Sequence, residues 1–413
     1  MSVRIVLFAY ACEPGEGSEP GAGWAWARML SSFGEVWVVT RANNRTAIEG
    51  GIGELPERDR LRFVFVDLPR WASWWKRGRR GLHVYYLAWQ VVALRAARKV
   101  HREFPVDLVW HVTLANAWLG STAGFLGVPF VYGPVGGGVK VPFRLLPELG
   151  VRGAGFEAVR AAIRDLARYL NPLARSAWRR AELILVQNRE TRGWLPRRHR
   201  HKVAVLPNVV VSGIPPRAPR DREGNSGTAL FAGRLLPWKG ASLAIRAVAQ
   251  LPGWRLLLYG SGPDEARLRR LAVRYEVDDR VRLEGTIPRD RLLAAMRTEA
   301  DVLLFPSMRE EAGWVVGEAA SIGLPVVCLD RGGPPLLGGR GVQVSWPGRT
   351  SEDLARMMVS VPSGAPIAEQ VDPSSRLSRI RSLLERTTAF PERHLGHRVS
   401  EPGRDVTPVS EGP

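Results

Sequence analysis

The stretch ALFAGRLLPWKGASLAIRAVAQ, residues 229–250, carries the pattern that decides the fold. Ala229, Leu230, Phe231 and Ala232 run without alternation, as in a strand covered on both faces of a sheet. Gly233 breaks the run, and a helix is expected from Ala241 to Gln250. Strand, loop and helix in this order form the repeating unit of a parallel α/β sheet. The loop holds Arg234 and Lys239, each beside a glycine. A buried strand running into two cations and two glycines predicts an anion at its end.

The same rhythm extends in both directions. Upstream, strands are expected in VRIVLFAY, EVWVVT, RFVFVDL, DLVWHVT, PFVYG and ELILVQN, with helices at 23–32 and 85–104 among those between them. Downstream follow WRLLLYG, VRLEG, DVLLFPS, PVVCLD and GVQV, separated by helices at 264–275, 289–298 and 314–322. This alternation predicts two open, doubly wound α/β domains facing each other across a cleft, with ligands beyond the carboxyl ends of the strands. The expected divisions are an acceptor-side domain 1–211, a Pro- and charge-rich linker 212–228, a second domain 229–350, and a weakly structured tail 351–413. Within the tail, SRLSRIRSLLER (375–386) reads as a basic amphipathic helix, and the closing residues read as disordered.

Composition narrows the class without choosing the chemistry. The 413 residues are 45% hydrophobic and 24% charged, a globular balance for two or three domains. The net charge of +19 favours anionic partners such as nucleic acid, an acidic membrane surface or phosphorylated substrates. Cys12 and Cys328 are too few for a disulfide framework and read as buried free thiols. No run approaches the ~20 apolar residues of a membrane span. A cytosolic protein, peripheral on the inner face of the membrane, is therefore expected. In the segment 70–89, Trp71, Trp74 and Trp75 lie among Arg70, Lys76, Arg77, Arg79 and Arg80, a mixture suited either to anionic headgroups or to an exposed amphipathic helix of the domain. No nucleic-acid module accompanies it, so nucleic acid is not expected as a partner.

Two further constellations bear on the anion. EPGAGWAW (19–26) offers Gly21 and Gly23 as a G-x-G turn, but Trp26 occupies the third small position of a dinucleotide fingerprint. The glycines are either a phosphate-facing loop at a helix N-terminus or a plain turn. REEAGWVVGEAASIGLPVVCLD (309–330) places Glu310 after one strand and Glu318 in the first turns of the next helix. Carboxylates so placed accept hydrogen bonds from sugar or ribose hydroxyls. No His/Asp cluster has metal-ligand spacing.

Together the GRL…KG loop with Arg234 and Lys239, the GSGP turn 260–263, and the Glu310–Glu318 block ending in GLPVV resemble the retaining GT-B glycosyltransferases of family 4. The resemblance is strong over 225–345 and weaker over the first domain. It implies a GT-B fold and a sugar transferred from a nucleotide-diphosphate sugar to an acceptor hydroxyl with retention, without a metal or other cofactor. It further implies that Arg234 and Lys239, in the loop opened by Gly233, neutralise the donor diphosphate. Glu310 would meet the transferred sugar and Glu318 the ribose. Backbone groups at Gly313 and Trp314 would hold phosphates, and those at Thr286 and Ile287 the base. His111, after DLVW, would point to the cleft near the anomeric centre, and Gly21 and Gly23 would lie near the phosphates. Ala312 replaces a frequent aromatic and Glu311 adds a second acid, either of which would alter the donor sugar accepted. The implied partners are a nucleotide sugar, a glycan or lipid-linked acceptor in cell-surface polysaccharide or glycolipid synthesis, and an anionic membrane surface. Two rival readings stand beside it: a GT-B nucleotide-sugar epimerase or phosphorylase, and an inactive basic membrane-binding protein.

Overall fold

Alternation within each parallel strand divides the side chains between two covering layers. In the computed structural model, which describes residues 3–53, 55–69, 71, 81–211, 213–218, 225–362 and 372–387, this produces two sheets. The first contains β1 (Val3–Phe8), β2 (Gly34–Thr40), β3 (Leu61–Phe65), β4 (Leu108–His111), β5 (Phe130–Val135), β6 (Leu183–Val186) and β7 (Val203–Val205). Their order is β3-β2-β1-β4-β5-β6-β7. The second contains β8 (Gly227–Ala232), β9 (Trp254–Tyr259), β10 (Val281–Gly285), β11 (Val302–Phe305), β12 (Val326–Leu329) and β13 (Arg340–Val342), ordered β10-β9-β8-β11-β12-β13.

Both are Rossmann-like, doubly wound sheets, and their strands pair in parallel. Val6 and Phe8 enter one core layer while Val3, Ile5 and Leu7 enter the other. Ala229 and Phe231 separate from Leu230 and Ala232 in the same way. The order reverses between β1 and β4 in one domain and between β8 and β11 in the other, so each sheet has a crevice there.

The chain changes domain over residues 206–211. Leu206 and Val210 pack into the first domain, whereas Val209 and Val211 pack into the second. The stretch from Ser351 onward, expected to be weakly structured apart from a basic helix at 375–386, holds that helix and the greater part of another. Pro347–Ser360 buries Leu354, Ala355 and Met358 in the second domain. Pro373–Glu385 returns to the first, burying Ile380 and Leu384 in its core. Arg376 is buried there, donates to the Pro207 carbonyl and stacks 5.8 Å from the Trp26 ring centre. Residues 388–413 lie outside the described chain.

Of the basic aromatic segment 70–89, Trp71 is exposed, whereas Tyr85, Tyr86 and Trp89 are buried in the core of the first domain; Arg70, Trp74, Trp75, Lys76, Arg77, Arg79 and Arg80 lie outside the described residues. Among the described residues no helix is long and apolar enough to cross a membrane.

Candidate functional site

The crevice between β8 and β11 is built by glycines that let two loops touch. A Cβ on Gly260 would stand 2.0 Å from the Gly233 carbonyl oxygen, and one on Gly262 would stand 2.2 Å from that of Leu235. The post-β8 loop therefore presses against the GSGP turn and turns Arg234 outward, exposed and without a side-chain partner among the described residues. Lys239 closes a short turn, Pro237–Lys239. Its ammonium donates to Glu310 Oε2 and lies 5.5 Å from the Phe305 ring centre. Ser307 Oγ donates to the same carboxylate oxygen at 3.4 Å. Met308 N–H bonds the Trp238 carbonyl at 2.8 Å, tying the loops after β8 and β11 together. Arg234, Lys239 and Glu310 thus stand at the reversal of strand order.

Glu318 sits in the helix Trp314–Ser321, 5% exposed, and accepts a 2.6 Å bond from Arg289 Nε. Burial raises its pKa and the Arg289 charge opposes that rise. The first domain meets this pair at Gly17, where a Cβ would lie 3.9 Å from Glu318 Oε1 and 4.0 Å from Arg289 Nε. Gly313 takes a left-handed φ of 92° to start the helix, and Trp314 packs against both domains. Thr286 is exposed after β10, its hydroxyl 3.0 Å from Ser261 Oγ, and Ile287 beside it is half-buried.

Other expected positions differ. His111 does not reach the cleft. It is fully buried, with Nε2 2.7 Å from the Tyr86 hydroxyl and Nδ1 2.6 Å from Ser121 Oγ. Desolvation holds its pKa down to about 4, so the ring is neutral at pH 7. Both ring nitrogens are engaged, and its place is structural. Gly21 and Gly23 do not form the loop but lie inside the helix Ser18–Leu30. A Cβ on either would come within 2.0 Å of a backbone oxygen, of Glu16 or Ala11 respectively, so both glycines admit the post-β1 loop. Trp26, expected to obstruct helix–sheet packing, is buried 5.5 Å from the Trp110 ring centre and donates to the Asn208 carbonyl.

Glu311 is the residue whose role the sequence hid. Its carboxylate leaves the donor side and crosses to the first domain. There it accepts from Val139 N–H at 3.2 Å, Asn188 Nδ2 at 2.8 Å and Thr191 Oγ1 at 3.2 Å. Asn188 also donates to the Glu311 carbonyl. Glu190 accepts from Gly332 N–H, and Arg309 pairs with Glu157 at 3.0 Å. Ala312 is buried in the second domain. The segment 309–314 therefore bears Glu310 on one side and holds the domains together on the other. These partners lie 120 or more residues apart from Glu311, beyond any local sequence signal.

A cavity of about 520 Å³ runs beside the cleft, lined by Glu13, Glu16, Gly21, Arg289 and Trp314 among others. Its lining omits Arg234, Lys239 and Glu310. The convergence of charge and the reversal of strand order, rather than cavity size, locate the candidate anion site.

Residues 217–362 match the family model described as "Glycosyl transferases group 1". That region belongs to glycosyl transferases group 1. The chain is 40% identical over 111 residues to the D-inositol 3-phosphate glycosyltransferase of Mycobacteroides abscessus, a match covering 26% of this chain and 25% of that protein. It is 30% identical over 246 residues to WcaL of Escherichia coli, a glycosyltransferase assigned to colanic acid biosynthesis, covering 54% of this chain and 59% of that one. The chain thus spans between a quarter and three-fifths of the length of these relatives. The crystal structure of Anabaena HepE in complex with UDP and glucose aligns with a TM-score of 0.58 at 19% identity, covering 93% of this chain and 99% of that one. The fold of the chain is GT-B, two Rossmann-like domains facing across a cleft.

Proposed function

We propose that this chain is a glycosyltransferase that moves a sugar from a nucleotide-diphosphate sugar to an acceptor hydroxyl, with retention at the anomeric carbon. The observation that carries the reading is the Lys239–Glu310 ion pair at the β8/β11 reversal, with the exposed Arg234 guanidinium in the same loop. Arg234 supplies a fork for phosphate oxygens and Lys239 a mobile point charge. A diphosphate arriving there competes with Glu310 for Lys239, which releases the carboxylate to accept hydrogen bonds from sugar hydroxyls. Glu318, held by Arg289, is placed to accept from the ribose. Backbone groups around Gly313, Trp314, Thr286 and Ile287 complete the donor site in this reading.

The sugar–oxygen bond to the diphosphate breaks as the acceptor oxygen bonds to the anomeric carbon. The departing diphosphate takes the acceptor proton, so no protein nucleophile is needed. Arg234 and Lys239 stabilise the charge that develops on the leaving group, so no divalent ion is required. The acceptor class proposed is a glycan or lipid-linked glycan of cell-surface polysaccharide or glycolipid synthesis, supported by the similarity to WcaL. Such donors are met on the cytosolic face of a membrane, where we place the protein.

Incubation with UDP-, GDP- and ADP-sugars tests the reading. One donor should release its nucleoside diphosphate faster when acceptor glycans are added, and proton NMR should show the donor's anomeric configuration in the product. Release of free sugar or an epimerised donor, indifferent to acceptor, would place the chain among epimerases or phosphorylases.

A further inference from the structure

The helix Gly150–Leu170 has the reverse of an ordinary surface helix: its buried side chains are the charged Glu157 and Arg164, and its apolar stripe faces out. On the inner side Glu157 pairs with Arg160 and Arg309 and accepts from Val141 N–H. Arg164 is fully buried and donates to the Gly138 carbonyl, while Asp165 holds Lys140, Arg164 and Trp194. These contacts fix the rotation of the helix. On the outer side Phe156, Val159, Ile163, Leu166, Tyr169 and Leu170 are each 55–67% exposed. Their spacing of mostly three or four residues forms one continuous stripe along a helix about 30 Å long. A contiguous apolar stripe of that size marks a contact surface.

We propose that this stripe docks the protein in the plane of an anionic membrane surface. Charge selects the occupant. Exposed Arg152 lies one turn before the stripe, exposed Arg144 precedes the helix in the chain, and exposed Arg175 donates to the Tyr169 carbonyl at the far end; the helix's two acidic residues, Glu157 and Asp165, are both ion-paired. The whole chain carries +19. A second copy laid on the same stripe would set cation against cation, since Arg152 meets either its own counterpart or the Arg168 end. Anionic headgroups meet both ends favourably, while the apolar side chains enter the boundary with the acyl chains. Arg168 and Tyr169 also line a cavity of about 520 Å³ shared with Lys140 and Arg331, so docking brings that cavity to the lipid surface. The surface is distinct from the basic aromatic segment of residues 70–89, and the inference does not rest on the transfer reaction.

Flotation of the full chain with vesicles tests it. The protein should float with phosphatidylcholine vesicles containing about a quarter phosphatidylglycerol and remain behind with phosphatidylcholine alone. Combining Phe156→Gln, Ile163→Gln, Leu166→Gln and Leu170→Gln should weaken flotation at least about tenfold with an unchanged Tm. Combining Arg144→Gln, Arg152→Gln and Arg175→Gln should weaken it several-fold and flatten its salt dependence. Absence of wild-type flotation, or equal flotation of the glutamine variant, overturns the proposal. So does a vesicle-free dimer, seen by sedimentation equilibrium, that the glutamine variant dissociates, because the stripe would then cover a second copy.

Discussion

Lys239 and Glu310 hold each other where the sequence pattern expects an anion and a sugar, and Arg234, exposed in the same loop as Lys239, has no side-chain partner among the described residues. Removing Arg234 therefore costs the fold little, within about 0.5 kcal/mol for an exposed side chain, yet removes charge needed as the diphosphate departs. Arg234→Ala and Lys239→Ala should each lower kcat by roughly 10²-fold or more. Steady-state assays in which both variants keep wild-type kcat/KM would dismiss the site. His111 supports a different prediction. Its folded pKa of about 4 lies below the ordinary 6.5, so falling pH protonates the unfolded chain first and withdraws stability between 6.5 and 4. Urea unfolding at pH 7.5 and pH 5 should show His111→Gln losing about 2 kcal/mol less than wild type over that interval. Equal losses would mean the imidazole gains its proton without penalty. The positions of Arg234, Lys239 and Glu310 after β8 and β11, and of Glu318 in the helix that follows β11, were legible because short spacing ties them to those strands. The burial of His111 and the reach of Glu311 were not, because Tyr86, Ser121, Asn188 and Thr191 meet them only through the sheet order.

Strands were the most legible elements, since a parallel strand buried on both faces writes an uninterrupted apolar run. The exception is β7 at the sheet edge, three residues long and half-buried throughout. Helices were read well where their apolar side faces a sheet. Gly150–Leu170 was missed: it contains Gly150, Gly153 and Gly155, and its stripe faces away from the core. The helix Pro373–Glu385 was read as basic and amphipathic, but its docking on the first domain depends on Ile380 and Leu384 finding a surface far away in sequence. Leu384→Ala should cost about 3 kcal/mol, the loss expected for a buried leucine. An unchanged urea midpoint would mean that helix contributes nothing to the first domain. The segment 309–314 makes the opposing contact between domains. Glu311→Ala leaves Val139 N–H, Asn188 and Thr191 without their acceptor, at a cost of about 2 kcal/mol or more. Small-angle scattering should show a larger radius of gyration with both domains still folded; an unchanged radius would locate the hold elsewhere.

At the scale of the whole molecule, two sheets point their carboxyl ends at one cleft, and the chain crosses between them at residues 206–211 and again before Pro373. In the proposed reaction, opening and closing about residues 206–211 would admit the donor and then exclude water from the diphosphate, as in other enzymes that close on their substrates. In the proposed mechanism Arg234 and Lys239 supply the charge, so turnover should persist in excess EDTA; complete loss restored by Mg²⁺ or Mn²⁺ would assign that work to a metal. The most direct measurement compares nucleoside diphosphates with their monophosphates by titration calorimetry, in wild type and Arg234→Ala. The cognate diphosphate should bind at least about tenfold more tightly than its monophosphate, a difference of about 1.4 kcal/mol, and Arg234→Ala should erase most of that difference. Equal affinity for the two nucleotides, or a preference untouched by the substitution, would contradict a diphosphate cradle at the β8/β11 crevice.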